Sequence, residues 1–297
     1  MLEFSYWQAL GLSGSARFRS QRRYAMTLLK GAHAALDQIA KLPLIRGLLH
    51  QQYERAFAAN RDANLFRGVF NTFEDAQQSA PQNRPIGYDN PDSATMYMDR
   101  TRKIYPTDYP VLFWLNRLLE EGNTRVFDIG GHIGVSYYAY RRYIDYPKAL
   151  RWCVHDVPAV MDHGRKLAAE KDRDGYLSFC DRFEDGDGMD ILVAQGSLQY
   201  LPETLAERLA KFKTPPSHIV LNLTPLHEQQ SYFTLQSIGT AFCPYRITGV
   251  SEFLRSIEVL QYQLVDNWEN PDKKCEIPFY ANRSLDRYYG FYFKRTV

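Results

Sequence analysis

The chain has 297 residues, of which 45% are hydrophobic, 14% aromatic and 24% charged, and it carries a net charge of +2. That length holds one large domain, or a catalytic domain with a helical appendage, and the apolar fraction can bury a sizeable core. The small net charge excludes strong steering toward nucleic acid or an anionic membrane, and no apolar run approaches the ~20 residues of a membrane span.

Residues 1–12 lack a basic stretch followed by a continuous apolar core, so no signal peptide is expected and a cytoplasmic location follows. Tyr24, Leu28, Ala32, Ala35, Leu36 and Ile39 recur at helical spacing. Pro43 interrupts that pattern, and a second helix is expected over 44–58. Arg17, Arg19, Arg22 and Arg23 read as a solvated helix face, with an anionic partner as the lesser alternative. These N-terminal helices offer a surface for a homodimer. Residues 61–106 are punctuated by Pro81, Pro85, Gly87, Asn90 and Pro91 and read as loop-rich. The expected division is therefore an N-terminal helical region and linker over 1–106 and a second domain over 107–297.

From residue 107 helices and strands alternate. Thr107 or Asp108 can cap a helix that has Pro110 in its first turn and Gly122 at its close. Strands are expected at 125–128, 151–155, 176–179, 190–194, 218–223, 262–267 and 288–294. Helices are expected at 134–143, 157–170, 202–212 and 251–260. The alternation predicts an α/β fold with a doubly wound, mostly parallel seven-stranded sheet. The last two strands are joined by a polar loop, so the seventh should run antiparallel. Four cysteines, at 153, 180, 243 and 275, have no metal-type spacing and are expected as free, reduced thiols.

The first strand of this region runs into Asp128-Ile-Gly130-Gly131-His132-Ile-Gly134. Glycines there let the backbone turn sharply and let a ligand approach. A dinucleotide fingerprint would need glycine at position 129, where isoleucine stands, so NAD and FAD are disfavoured. The later strands also end in polar groups: His155-Asp156, then Cys180-Asp181-Arg182-Phe183, then Gln195-Gly-Ser197. In a parallel sheet such ends face one crevice. Asp156 is placed to accept from ribose hydroxyls, Asp181 from an exocyclic amine, and Arg182 or Phe183 to cover a ring. The bland reading of each acid is a helix cap or a solvated loop carboxylate.

These turns, D-I-G-G-H-I-G, H-D-V-P-A-V and C-D-R-F-E-D-G-D, resemble those of class I S-adenosyl-L-methionine (SAM) methyltransferases with a Rossmann-like fold, small-molecule O-methyltransferases in particular. The stretches L-F-R-G-V-F-N-T-F-E-D-A, G-S-L-Q-Y-L, L-N-L-T-P-L-H and Y-Y-G-F-Y-F are similar to a bacterial family, assigned as methyltransferases, from surface-polysaccharide and secondary-metabolite gene neighbourhoods. The resemblance implies SAM as cofactor. It implies Asp128, Gly130, Gly131, His132, Gly134, Asp156, Asp181, Arg182, Phe183, Gln195 and Ser197 at the cofactor, and a small-molecule or glycan precursor as substrate, with no nucleic acid and no metal.

Two departures stand out. His132 replaces a turn glycine, and Leu198 occupies the slot where plant-type enzymes carry a catalytic histidine. The expected base is therefore His227, after the fifth strand, with Tyr200 behind it and Gln199 and Glu228 as positioning groups. His155 is expected to point away, since neighbours on a strand alternate faces. Aromatic insertions at 224–249 and 268–285 should shape the substrate side, where Arg246 can meet an acidic group. Two alternatives stay open, an N-methyltransferase and a non-catalytic SAM-fold binding or assembly module.

Overall fold

The computed structural model describes residues 43–90 and 96–296. The chain divides into two compact units, Met1–Ala56 and Phe57–Val297. The expected helix through Ile39 and the arginine cluster at 17–23 lie outside the described residues. The second expected helix is present as α1 (Pro43–Ala59), begun by its proline.

In the second unit the segment that reads as loop contains a strand, β1 (Leu65–Phe70), and a short helix, α2 (Phe73–Gln78), capped by the Thr72 hydroxyl. The helix α3 (Tyr109–Glu120) has the expected Pro110 in its first turn, and Gly122 closes it with φ +92°. Then follow β2 (Arg125–Ile129), α4 (Val135–Tyr140), β3 (Arg151–His155), α5 (Pro158–Lys171), β4 (Leu177–Phe179) and β5 (Ile191–Gln195). The short α6 (Leu205–Leu209) precedes β6 (His218–Thr224). The strands β7 (Leu226–His227), β8 (Tyr232–Ser237) and β9 (Phe242–Gly249) lead to α7 (Val250–Glu258), β10 (Tyr262–Asn270) and β11 (Tyr288–Arg295).

Seven strands form one sheet in the order β10-β11-β6-β5-β2-β3-β4. Pairings from β6 through β4 are parallel, and β11 is antiparallel to both its neighbours, as the missing crossover helix predicts. Side chains alternate between two apolar layers with the period of two that strands impose. Phe127, Ile129, Cys153, Leu192, Ala194, Ile219 and Leu221 face one way, onto Leu205 and Leu209 of α6 and Phe253 and Ile257 of α7. Val126, Trp152, Val154, Ile191, Val193 and Val220 face the other, onto Val111, Leu115, Leu118 and Leu119 of α3 and Tyr137 and Tyr140 of α4. With apolar residues on both faces the central strands are continuous hydrophobic runs, which is why they are easy to find in the sequence.

A second sheet, ordered β1-β8-β9-β7, was not expected. It is built from the 224–249 insertion and from β1, which pairs antiparallel with β8 from Leu65↔Ser237 to Phe70↔Phe233. Pro244 argues against a strand interior because it has no N–H to donate. It is tolerated because the far side of β9 is paired only near its ends, with Ile86 at Phe242 and with β7 at Thr248 and Gly249.

The cysteines divide. Cys243 and Cys275 are buried and free, as expected. Cys153, in the middle of β3, is instead joined by a disulfide to Cys180, just past β4, across a Cα separation of 6.1 Å. Cys153 lies opposite Ser178 in the parallel pairing, so Cys180 sits two residues further along, at a Cα separation that a disulfide can span.

Candidate active site

The chain order of the large sheet reverses between β2 and β5, and a crevice opens beyond the carboxyl ends of those two strands. The glycine turn fills one side of it. Gly130 has φ +69°, and a Cβ there would lie 2.2 Å from the Ser197 Cβ. A Cβ on Gly131 would lie 2.4 Å from the Asp128 carboxylate. The two glycines are therefore dictated by groups pressing from β5 and from β2 itself. His132 takes φ 57°, a left-handed conformation that is uncommon outside glycine and in which histidine is one of the enriched residues.

Asp128 lies beneath the turn, 1% exposed, and accepts a hydrogen bond from Trp152 Nε1 at 3.0 Å. Burial pushes its carboxyl up to about 7, against the Trp152 bond. Asp156, just past β3, accepts from the His132 N–H at 2.9 Å and from the Val157 N–H at 2.7 Å. Burial raises its pKa too, opposed by those N–H bonds and by His132. Two backbone donors thus aim the carboxylate and leave each oxygen a second lone pair for a ligand. Ser197 Oγ donates to the Ile129 carbonyl at 2.6 Å, and Gln195 accepts from Tyr140 and donates to Ser136 Oγ. Ser197 and Gln195 are accordingly held as struts of the turn.

Apart from the buried Trp152, these groups border one cavity of about 800 Å³. Its opposite wall comes from the second sheet and the loops beside it. There Tyr200 donates to Gln236 Oε1 at 2.8 Å and is met by the Tyr88 hydroxyl at 3.4 Å. Tyr245 donates to the Tyr288 hydroxyl at 2.8 Å. Burial holds the Tyr88 and Tyr200 phenols well above their usual range, so both are protonated donors at neutral pH.

Several expected residues are placed elsewhere. His227 does not border the cavity: its Nε2 lies 3.0 Å from the Asn282 carbonyl, and its Nδ1 accepts from the Gln229 N–H at 3.1 Å. It sits in the two-residue strand β7, whose pairing with β9 turns the ring away from the crevice. Arg182 is ion-paired with Asp185 at 2.8 Å and faces solvent, while Phe183 packs inward against Phe127 and Phe212. Neither borders the cavity. Asp181 does border the cavity, but its side chain is 77% exposed and paired with Arg165. Arg246 stacks on Phe233 and donates to the Pro202 carbonyl, outside the cavity, and Glu228 is exposed. His155 departs the other way: its ring keeps to the layer of Phe127 and Phe183, as alternation requires, yet at the carboxyl end of β3 it borders the cavity, and its Nδ1 lies 3.0 Å from the Cys180 carbonyl.

Tyr88, Tyr97, Arg100, Lys103 and Lys273 line the cavity without having been expected there. Their sequence signal is the run of aromatic and basic residues in a segment rich in turns, and it is visible only once a reason exists to look. Tyr97 packs its ring edge-on to His132, with centroids 5.1 Å apart. Among the described residues no cluster of His, Cys, Asp and Glu could hold a metal ion, and no helix is long and apolar enough to cross a membrane.

No family model matches the chain, and no curated protein matches it. Solved structures do. The 1,6-didemethyltoxoflavin-N1-methyltransferase of Burkholderia thailandensis, solved with 1,6-didemethyltoxoflavin and S-adenosylhomocysteine, is similar over 65% of this chain and 79% of its own, at 15% identity and a TM-score of 0.41. A SAM-dependent methyltransferase from Clostridium acetobutylicum is similar over 68% of this chain and 96% of its own, at 8% identity and a TM-score of 0.42. The CcbJ methyltransferase of Streptomyces caelestis is similar over 76% of this chain and 97% of its own, at 12% identity and a TM-score of 0.39. Likeness at this level transfers no substrate and no residue role.

Proposed function

We propose that the chain is a SAM-dependent methyltransferase acting on a small molecule. The observation that carries the proposal is the geometry at the reversal of chain order. A glycine turn packed directly over Asp128 and a carboxylate, Asp156, aimed by two backbone N–H groups border one cavity. Gly130, Gly131 and His132 would line the methionine and ribose side of the cofactor, Asp156 would hold the ribose hydroxyls, and Asp181 or His155 would meet the adenine. SAM when bound supplies an activated methyl group on a sulfonium, and the protein supplies alignment for an in-line displacement.

Tyr200 is the proposed positioning group on the acceptor side. It borders the cavity, and burial keeps its phenol protonated, so it takes no proton; its O–H, held by Gln236 Oε1, would turn to the acceptor. With His227 turned away, the acceptor atom is one acidic enough to need no strong base, which favours O-methylation of a carboxyl or phenol. An amine that arrives unprotonated is the alternative, and it keeps N-methylation open.

Calorimetric titration tests this reading. S-adenosylhomocysteine is expected to bind with micromolar affinity, and Asp156→Ala to weaken it at least tenfold more than Asp128→Asn does. Removal of a carboxylate that accepts two ribose hydroxyls loses charge-assisted bonds of roughly 1.5–3 kcal/mol each. Absence of heat with SAM and S-adenosylhomocysteine, alongside clear binding of NAD, would overturn it.

A further inference from the structure

The cavity is electrically divided. Four of its five acids lie along one edge: Asp128 and Asp156 at the ends of β2 and β3, Asp181 past β4, and Asp89, which accepts from the Ala159 N–H at the start of α5; the fifth, Asp108, is buried beside Arg100. Four of its five cations come from two other segments, Arg100 and Lys103 from the loop before α3 and Lys273 and Lys274 from the loop between β10 and β11, while the fifth, Arg208 of α6, is already paired with Glu203. Arg100 lies over Tyr105, 5.1 Å from the ring centroid, and 5.6 Å from that of Tyr97, whose far edge meets His132. The basic end thus begins one ring beyond the glycine turn. Desolvation and the nearby Arg100 guanidinium both lower the pKa of Lys273, so the two loops present their charges to each other.

Among the described residues no ion pair joins any of these four cations to a carboxylate. The acid that feels Arg100 is Asp108, which is buried, accepts from the Tyr105 N–H at 2.7 Å and has its carboxyl raised by that burial. Four like charges gathered at a cavity wall repel one another unless a ligand compensates them. SAM does not. Its sulfonium and ammonium outweigh its one carboxylate, so it is a net cation suited to the acidic edge.

We propose that the acceptor substrate carries an oxyanion, a carboxylate or a phosphate, that is held by Arg100, Lys103, Lys273 and Lys274. The cofactor then occupies the acidic edge and the acceptor's anion the basic one, and the two charges orient the reactants across the cavity. Arg100 supplies a planar fork for two oxygens, and the lysines act as point charges around it. The proposal rests on the methyltransferase reading, and it names the class of molecule that enzyme would modify.

The same chemistry has a second source, the cofactor's own carboxylate, and the experiment separates the two. Inorganic phosphate is titrated onto the full-length protein saturated with SAM, with sodium chloride at matched ionic strength as control, and binding is read as the thermal shift. Phosphate is expected to stabilise the complex beyond chloride. The double variant Arg100→Gln/Lys273→Gln should weaken the apparent phosphate affinity at least tenfold while SAM affinity stays within about twofold of wild type. If that variant does not fold, Lys103→Gln/Lys274→Gln, with both side chains exposed, serves in its place. A phosphate response no greater than that of chloride, or one unchanged in the variant, overturns the proposal. Loss of SAM affinity in the folded variant overturns it as well and assigns the cluster to the cofactor. Failure of the wild-type protein to bind SAM at all sinks the methyltransferase reading instead, a result distinct from a missing phosphate response on a SAM-loaded protein.

Discussion

Asp128 shows how far a single residue can be read from sequence. Its place at the end of a strand before glycines marks it as a candidate site residue, and it borders the cavity. Its depth is not in the pattern. The side chain is 1% exposed, with Trp152 bonded to it and Gly131 packed on it, and those partners come from a neighbouring strand and the returning turn. The folded chain therefore binds the Asp128 proton more tightly than the unfolded chain does, with a pKa of about 7 against the usual 3.8. Stability must then fall as pH rises through that window and level off above it, by up to on the order of 4 kcal/mol. Asp128→Asn keeps an acceptor for Trp152 and cannot ionise. Urea denaturation of the unliganded protein from pH 4 to 8 should show the wild type losing stability relative to Asp128→Asn across this window. Parallel curves for the two proteins would mean that Asp128 is ionised in place. His227 teaches the converse. A histidine after a strand of the parallel sheet reads as crevice-facing, but a two-residue strand pairs with β9 there, and such a pairing leaves no trace in local sequence.

At the scale of elements, legibility follows the source of each strand's stability. The strands β2, β3, β5 and β6 are buried on both faces and declare themselves as short apolar runs. In contrast β1 depends on a partner far away in the chain, as in Arg67↔Leu235, and the short hairpin of β8 and β9 carries Pro244 within its second strand. The antiparallel hairpin of β10 and β11 lies between these cases. Its strands are visible, but the contact that locks them is not. Gly290 faces Trp268 across the ladder, and a Cβ on Gly290 would lie 2.0 Å from the indole. The indole lies flat over the glycine and donates from Nε1 to Asn222 Oδ1 at 3.0 Å. Asn222 in turn donates to the Thr107 carbonyl at 2.8 Å, which ties the hairpin through β6 to the start of α3. Gly290→Ala should expel the indole and break that chain of bonds, at a cost of about 2–4 kcal/mol. The measurement is the denaturation midpoint at unchanged m-value. A midpoint within a few tenths of a kcal/mol of wild type would show that the indole moves aside freely.

For the second compact unit taken whole, the two sheets do separate work around one cavity. The large sheet presents the glycine turn and the acids, and the second sheet presents Tyr200, Gln236 and Tyr245. Composition and alternation were enough to read the first of these sheets, because each parallel crossover lies within a few tens of residues. They were not enough for the second, whose outermost strand enters from residues 65–70 and pairs with 233–237. If the division of labour holds, cofactor alone should rigidify one sheet and leave the other. At one hundred times its dissociation constant a ligand adds about 2.7 kcal/mol to stability, which for a domain of this size raises Tm by roughly 5–10 °C. Hydrogen exchange locates that gain. Saturating S-adenosylhomocysteine should slow exchange at the amides from Ile129 to Gly134 and around Asp156, where the turn and its carboxylate would become ligand-bound. The amides of β8 and β9 should exchange as in the free protein, because the cofactor does not reach the acceptor wall. Equal protection of both sheets by S-adenosylhomocysteine alone would overturn this division: the two sheets would then close on the cofactor as one cooperative body, and the acceptor would enter a cavity already shaped for it.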